Sequence, residues 1–110
     1  MNKVIIMGRL GRDPSFRTTA TGSACYFSLA THERERREEG WIEHTEWHHV
    51  VTFGKLSELV NEYLGKGEQA LVEGKLRTRR WVADGVERVR TEIVASSVQF
   101  LGGRKEVSDV

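Results

Sequence analysis

A small all-β barrel that carries one short helix is the fold class that this sequence predicts. The chain has 110 residues, enough for one domain with a single hydrophobic core. Most of its apolar segments have the period of β-strands, and eleven glycines separate them. One stretch, between Leu56 and Leu64, has the period of a helix instead. We expect this domain to cover residues 1–103 and residues 104–110 to form a short disordered tail.

The first half of the chain predicts three strands. The apolar run Asn2–Leu10 is the first, and the polar segment Thr18–Ser23 that follows is interpreted as a loop. Ala24–Thr31 alternates with period two and is the second strand. The charged segment His32–Gly40 is interpreted as the tip of a long hairpin, with Trp41–Phe53 as its return arm.

The second half predicts the helix and two more strands. Apolar residues from Leu56 to Leu64 fall on one helical stripe, which the next glycine ends. Strands over Gln69–Trp81 and Arg88–Leu101 flank a turn at Asp84-Gly85. A helix between the third and fourth of five strands is the layout of the OB-fold, a Greek-key barrel whose outer face binds oligonucleotides or oligosaccharides.

Composition excludes several classes of protein. The single cysteine, Cys25, rules out an internal disulfide framework or a cysteine-based zinc cluster and fits a reducing compartment. The sequence contains neither a signal peptide nor an apolar run near the roughly 20 residues that span a bilayer, so we expect a cytoplasmic protein without a membrane partner. The net charge is only +1, yet Lys75–Trp81 contains four basic residues and no acid.

The fourth predicted strand gives the strongest functional signal. Side-chain alternation places four of its residues on one face: Lys75, Arg77, Arg79 and Trp81. Leu76 and Thr78 then point to the core, and Arg80 is expected to turn outward near the strand end. Trp47 and Phe53, six residues apart, share one face of the third strand. Cations beside aromatic rings predict a phosphate track next to platforms on which bases stack.

The same residues could instead have a purely structural role, as core aromatics and a solvated strand face. Tryptophan in a small β-domain is more often a core residue than a ligand platform, and charged strands are often only solvated faces. Trp47 and Trp81, however, have polar neighbours, whereas Phe27 and Phe100 lie in apolar segments and are the better core candidates. A run of like charge without an acid favours a polyanionic partner.

Other constellations are weak. His44, Glu46 and His48 share a strand face and form a conceivable metal site, but they lack the rest of any zinc motif. Gly8 and Gly11 have the spacing of a GxxG loop, although close backbone packing explains them better. The sequence lacks a phosphate-binding loop of NTPases and a nucleophile elbow. We therefore expect no metal, no cofactor and no catalysis.

Five motifs in one order resemble the bacterial single-stranded DNA-binding protein family: NKVIIMGRLGRDP, SLAT, TEWHHVVTFGKL, EYLGKG and EGKLRTRRW. The resemblance covers residues 2–103. It implies an OB-fold homotetramer, associated with the nucleoid, that binds single-stranded DNA without sequence preference in replication, recombination and repair. It also implies base stacking on Trp47, Phe53 and Trp81, and a phosphate path along Lys55, Lys66, Arg77 and Arg80.

Two departures from the family pattern change these expectations. Glu35 stands where the family usually has a stacking tryptophan, and Trp41, across the hairpin tip, is the candidate replacement; the sequence leaves open whether it contacts DNA. The family usually continues into a long linker with an acidic terminal peptide that recruits enzymes. This sequence reaches Val110 without either, so we expect tail-mediated recruitment to be absent.

Three further classes stay open beside single-strand binding. A metal-dependent enzyme that uses His44, Glu46 and His48 would show bound metal in an elemental analysis. An OB-fold assembly module would act mainly through protein contacts, so its function would barely depend on Trp47 and Trp81. An RNA-specific OB-fold would distinguish RNA from DNA through the 2′-hydroxyl.

Overall fold

Six strands and one helix follow one another in the computed structural model, which describes residues 1–102. In chain order they are β1 (Val4–Leu10), β2 (Ser15–Thr19), β3 (Gly22–Arg37), β4 (Gly40–Phe53), α1 (Gly54–Tyr63), β5 (Gln69–Ala83) and β6 (Val86–Gly102). The predicted tail, residues 104–110, lies outside the described residues. Within the described residues, no helix has the length and apolar composition that a membrane crossing requires.

Five of the strands close into a barrel. The sheet order is β1-β5-β6-β4-β3, and a further pairing between β1 and β3 joins its two ends. The strand pairs are antiparallel except for β4 and β6, which run parallel at Val50 and Val51. This closed barrel, with its helix between two strand groups, confirms the predicted OB-fold.

One strand was missed by the sequence prediction. β2 pairs with β3 from Ser15↔Tyr26 to Thr19↔Gly22, so the expected loop Thr18–Ser23 shrinks to a turn at Ala20-Thr21. Its residues carry no apolar alternation because most of its side chains face solvent. The extra strand shifts the numbering, and the helix therefore follows β4 rather than a third strand.

The core fills the barrel and the space under the helix. Its buried apolar residues come from every barrel strand, from α1 and from the residue that follows α1: Leu10, Cys25, Phe27, Leu29, Val50, Val60, Leu64, Ala70, Val72, Ile93 and Ala95. Phe27 is in the core as predicted, but the prediction for Phe100 is wrong, because 39% of its surface is exposed. Phe100 lies near the end of β6, against the exposed ring of Tyr63 with 6.2 Å between centroids.

The charged segment His32–Gly40 forms the predicted hairpin tip, and β3 continues through it as far as Arg37. β3 and β4 stay paired as far as Arg37↔Gly40. Arg34 lies opposite Glu43, and the pairing of opposite charges across an antiparallel ladder stabilises it. The β3–β4 hairpin therefore extends beyond the barrel as a two-stranded arm.

The turn of the β5–β6 hairpin is the predicted one. Asp84 and Gly85 have φ values of 53° and 75°. Positive φ at both central residues is the signature of a type I′ turn, whose twist suits a two-residue hairpin. The turn also fixes the register of the two strands, from Ala83↔Val86 inward.

Barrel closure depends on a glycine. Gly8 lies where β1 crosses β3, and a Cβ atom there would run into the carbonyl oxygen of Ala30. Backbone atoms cannot swing away as a side chain can, so the close approach requires glycine. This explains one of the two glycines in the GxxG spacing by backbone packing, as the sequence predicted.

We expect Gly8→Ala to lower the free energy of unfolding by about 1–3 kcal/mol, because the added methyl group forces β1 away from β3. Urea unfolding monitored by circular dichroism measures this change. Gly11→Ala is the matched control, because a Cβ there meets only the ring of the exposed Trp47. Equal stability of the two variants would contradict the role assigned to Gly8.

Candidate nucleic-acid interface

β4 carries a row of aromatic rings on one face. Trp47 and Phe53 are 54% and 46% exposed, as the sequence predicted for platforms. Trp41 lies six residues before Trp47, so strand alternation puts it on the same side. At about 3.3 Å per residue, successive rings stand roughly 20 Å apart along the strand. The same face continues into β3 through Tyr26 and Ser28, which pair with Val51 and His49.

The indole of Trp47 rests on the loop after β1. A Cβ atom at Gly11 would lie only 2.5 Å from Cη2 of this ring. Glycine therefore lets the outer edge of the indole approach the backbone closely, which explains the second glycine of the GxxG spacing. Arg12, Ser28 and His49 line the open groove beside the ring.

Arginines lie on the faces of two of the rings. The guanidinium of Arg77 is 5.7 Å from the ring centroid of Phe53. Trp81, which is half-buried, has Arg79 at 5.0 Å and Arg90 at 5.7 Å from its ring. The structure thus brings Arg77, Arg79 and Trp81 to one surface with Phe53, and each distance is within the range of cation–π attraction.

A buried carboxylate ties these arginines together. Oε1 of Glu92 accepts a hydrogen bond from Arg77 at 3.0 Å, and Oε2 accepts one from Arg79 at 3.4 Å. Glu92 is only 2% exposed, whereas the two arginine side chains are about two-fifths exposed. One acid therefore orients two cations whose other surfaces stay open to solvent.

Sequence reasoning missed Glu92, although a signal was available. Once the two-residue turn at Asp84-Gly85 is fixed, counting outward pairs Arg77 with Glu92 and Arg79 with Arg90. The run of basic residues on β5 therefore lies beside an acid on the next strand.

Two expectations about β5 need correction, whereas Arg80 is exposed, as expected near the strand end. Leu76 and Thr78 were expected to point to the core, but Leu76 is 49% exposed and Thr78 is exposed as well. Here the β5–β6 hairpin begins to extend beyond the barrel, so both of its faces meet solvent. Arg80 pairs with Val89 and lies, by alternation, on the face opposite Arg79 and not beside the aromatic platforms.

The remaining predicted cations are exposed at three separate places. Lys55 is exposed in the first turn of α1, two residues after Phe53. Lys66 is exposed in the loop before β5, where its backbone N–H donates to Oδ1 of Asp13 at 2.8 Å. Lys75 is exposed at the barrel end of the β5–β6 hairpin, where it lines a concavity with Asn2 and Lys3.

Trp41 lies between arginines on the β3–β4 arm. The guanidinium groups of Arg34 and Arg36 are 4.8 Å and 5.7 Å from its ring centroid. Glu35, at the position where the family resemblance implies a tryptophan, instead forms an ion pair with Arg37 and a hydrogen bond with His44. Hydrogen bonds from Arg37 and His44 lower the pKa of Glu35 below its ordinary value.

Three arginines that the sequence analysis did not select complete the surface. Arg12 and Arg90 line one groove of about 280 Å³ with Tyr26 and His49, and Arg17 and Arg90 line the adjoining one. Arg12 and Arg17 belong to a basic N-terminal stretch, and Arg90 lies opposite Arg79 in the hairpin register. The basic N-terminal stretch and the register of the β5–β6 hairpin were therefore the sequence signals from which these arginines could have been identified.

The conceivable metal ligands on β4 have separate partners. His44 Nε2 is 2.9 Å from Oε1 of Glu35, and His48 Nε2 is 2.8 Å from Oγ1 of Thr31. Among residues 1–102, no group of three or more histidine, cysteine or carboxylate side chains is arranged to hold a metal ion.

A family model described as "Single-strand binding protein family" matches residues 1–101. The chain belongs to this family. It is 51% identical over 109 residues to a single-stranded DNA-binding protein of Xanthomonas campestris, covering 96% of this chain and 63% of that protein. A Neisseria meningitidis protein of the same name is 44% identical over 111 residues, covering 98% and 64%. The chain thus spans about three-fifths of the length of these single-strand binding relatives.

Two solved structures of single-strand binding proteins share the fold. An SSB of Plasmodium falciparum in complex with ssDNA superposes with a TM-score of 0.83 at 31% identity, covering 92% of this chain and 95% of that one. A small single-stranded DNA-binding protein from Streptomyces coelicolor has a TM-score of 0.70 at 28% identity, covering 91% and 95%.

His49, at the centre of the grooved face, gives the surface a pH dependence. Partial burial, and then the positive charge of Arg90, lower its pKa, and Glu92 opposes this only partly. The folded protein therefore binds fewer protons at this site than the unfolded chain. The stability that this difference contributes is present above the unfolded pKa of about 6.5 and is lost as the pH falls below it.

We expect the free energy of unfolding of the wild type to fall relative to that of His49→Asn as the pH is lowered from about 7.5 to 5.5, through the ordinary histidine pKa. Urea unfolding of both proteins at several pH values measures the difference. His32→Asn, on the solvent-exposed arm, is the control. A constant difference between wild type and His49→Asn would contradict the assignment.

Proposed function

We propose that this protein binds single-stranded DNA without sequence preference and acts in DNA replication, recombination and repair by binding alone, without chemistry. The observation that carries the proposal is the alternation of rings and guanidinium groups on one face, from Phe53 and Arg77 to Arg79 and Trp81. Aromatic rings stack on any base, and arginines neutralise phosphates whatever the sequence. The relatives' names and the ssDNA complex of the Plasmodium protein support the same function.

In this proposal bases stack on Trp47, Phe53 and Trp81, and Trp41 extends the row along the arm. The phosphates follow the cations around these rings: Lys55, Lys66, Lys75, Arg77, Arg79 and Arg80. Arg80 lies on the opposite face of the β5–β6 hairpin, so a strand that reaches it passes over the hairpin edge. Duplex DNA binds weakly because its bases are already stacked on one another.

We expect oligo(dT) to quench the tryptophan fluorescence, because indoles stack against bases. The association constant should fall with salt by about 0.7 log units per log unit for each phosphate neutralised. Trp47→Ala and Trp81→Ala should each weaken binding about tenfold, since one stacked base contributes about 1–3 kcal/mol. Tyr63→Ala, which removes an exposed ring on α1, is the matched control.

Three probes separate this function from its rivals. Titration with oligo(rU) tests for an RNA-specific protein, which would bind it far more tightly than oligo(dT). Titration with duplex DNA tests the requirement for unstacked bases. Unchanged affinity of both tryptophan variants would favour the assembly module and count against the proposal.

We also propose that the protein is a homo-oligomer, in the form of a homotetramer, located in the cytoplasm at the nucleoid. β1 supports the self-association. One of its edges pairs with β5, but within the described chain the other pairs with β3 only at Arg9 and Leu10. Ile5 and Met7 stand exposed on its outer side. An unpaired apolar edge strand of this kind is a favourable surface for a second copy.

Replacing Ile5 and Met7 together by lysine should reduce the oligomer mass measured by light scattering, while circular dichroism shows a folded barrel. The lysines place like charges in the proposed contact and desolvate them. Val82→Lys, at an exposed apolar position of the β5–β6 hairpin, should leave the mass unchanged. An unchanged mass of the Ile5/Met7 variant would exclude this face from the interface.

A further inference from the structure

A concavity of about 370 Å³ lies between β2 and the β5–β6 hairpin, beside the two arginines that lie over the ring of Trp81. Its lining comes from four strands: Ser15, Arg17, Tyr26, Arg79 and Arg90. Three of these five residues are arginines, and no acid lines the concavity. Such a site attracts a small anionic group of the phosphate type.

The positive charge at this concavity is only partly compensated. Arg79 is bonded to Glu92, and Arg90 lies over Trp81. Among the contacts of residues 1–102, the side chain of Arg17 has no hydrogen bond or ion pair, and Arg90 has no ion pair. Two guanidinium groups are therefore available to a phosphate without first breaking an ion pair.

Tyr26 provides an aromatic ring at the same place. It lies on β3, paired with Ser15 on β2 and with Val51 on β4. Its side chain is half-buried, and it also lines an adjoining concavity that reaches Phe53. The ring thus lies between the Phe53 platform and the arginines near Trp81.

We propose that this concavity, together with the ring of Tyr26, is a further nucleotide subsite. Arg17 and Arg90 bind one backbone phosphate, and a neighbouring base stacks on Tyr26. The subsite links the platforms on β4 to those on the β5–β6 hairpin, so the strand crosses the barrel through it. This inference rests on the proposed single-strand binding, and it adds an aromatic platform on a strand where the sequence analysis placed none.

The stacking part is tested with Tyr26→Leu and Tyr26→Phe, measured by fluorescence anisotropy with labelled oligo(dT). Leucine keeps an apolar cover over the buried Val51 but removes the aromatic face, so affinity should fall about tenfold. Phenylalanine keeps the ring, and its affinity should stay within about twofold of the wild type. Tyr63→Leu, on α1, is the matched control and should bind like the wild type.

The phosphate part is tested with Arg17→Gln through the salt dependence of binding. Loss of one neutralised phosphate should reduce the slope of log K against log salt by about 0.7. Lys3→Gln, whose amine is paired with Glu73 at 2.8 Å, is the charge-matched control and should keep the wild-type slope.

If Tyr26→Leu fails to fold, photo-crosslinking of the wild type tests the same subsite. Photo-crosslinking with an oligonucleotide that carries 5-iodouracil should join bases to Tyr26, located by mass spectrometry. Absence of that crosslink would overturn the subsite and leave single-strand binding intact. The same conclusion would follow if Tyr26→Leu bound with wild-type affinity while Trp47→Ala bound more weakly. Wild-type protein that does not bind oligo(dT) would overturn both.

Discussion

The crossing of β1 over β3 at Gly8 is the constraint on which the rest of the structure depends. The backbone of Gly8 lies against the carbonyl of Ala30, and this contact turns an open sheet into a barrel. Closure fixes which side of each strand faces the core. The outward positions of β4, β5 and β6 therefore form one continuous surface, on which rings and cations from distant parts of the sequence meet.

Where strands run past the closed barrel, they no longer have an inner side. The β3–β4 arm and the β5–β6 hairpin are both of this kind, which is why the exposed Leu76 and the charged pair Arg34 and Glu43 are stable there. Cross-strand pairing replaces core burial as the source of stability in these arms. Both arms carry a tryptophan ring with two arginine guanidinium groups close to it, so the same local arrangement occurs twice.

The fold and about half of the candidate nucleic-acid interface were predictable from sequence. Period-two alternation identified Trp47 and Phe53, and the type I′ turn at Asp84-Gly85 identified the last hairpin. β2 was missed because a polar strand with mostly exposed side chains leaves no apolar period. Glu92 was missed because its role exists only across the ladder, so strand-by-strand reading could not show it.

Glu92 also explains how a surface with so many positive charges can have a defined shape before a ligand binds. Arginines on neighbouring positions repel one another and retain much rotational freedom. A buried carboxylate that accepts from both Arg77 and Arg79 removes this freedom and leaves the outer parts of both guanidinium groups exposed. Their positions beside Phe53 and Trp81 are then set by the protein rather than by the nucleic acid. Ordering these side chains in advance lowers the entropy lost on binding. This increases the affinity for nucleic acid without recognition of particular bases.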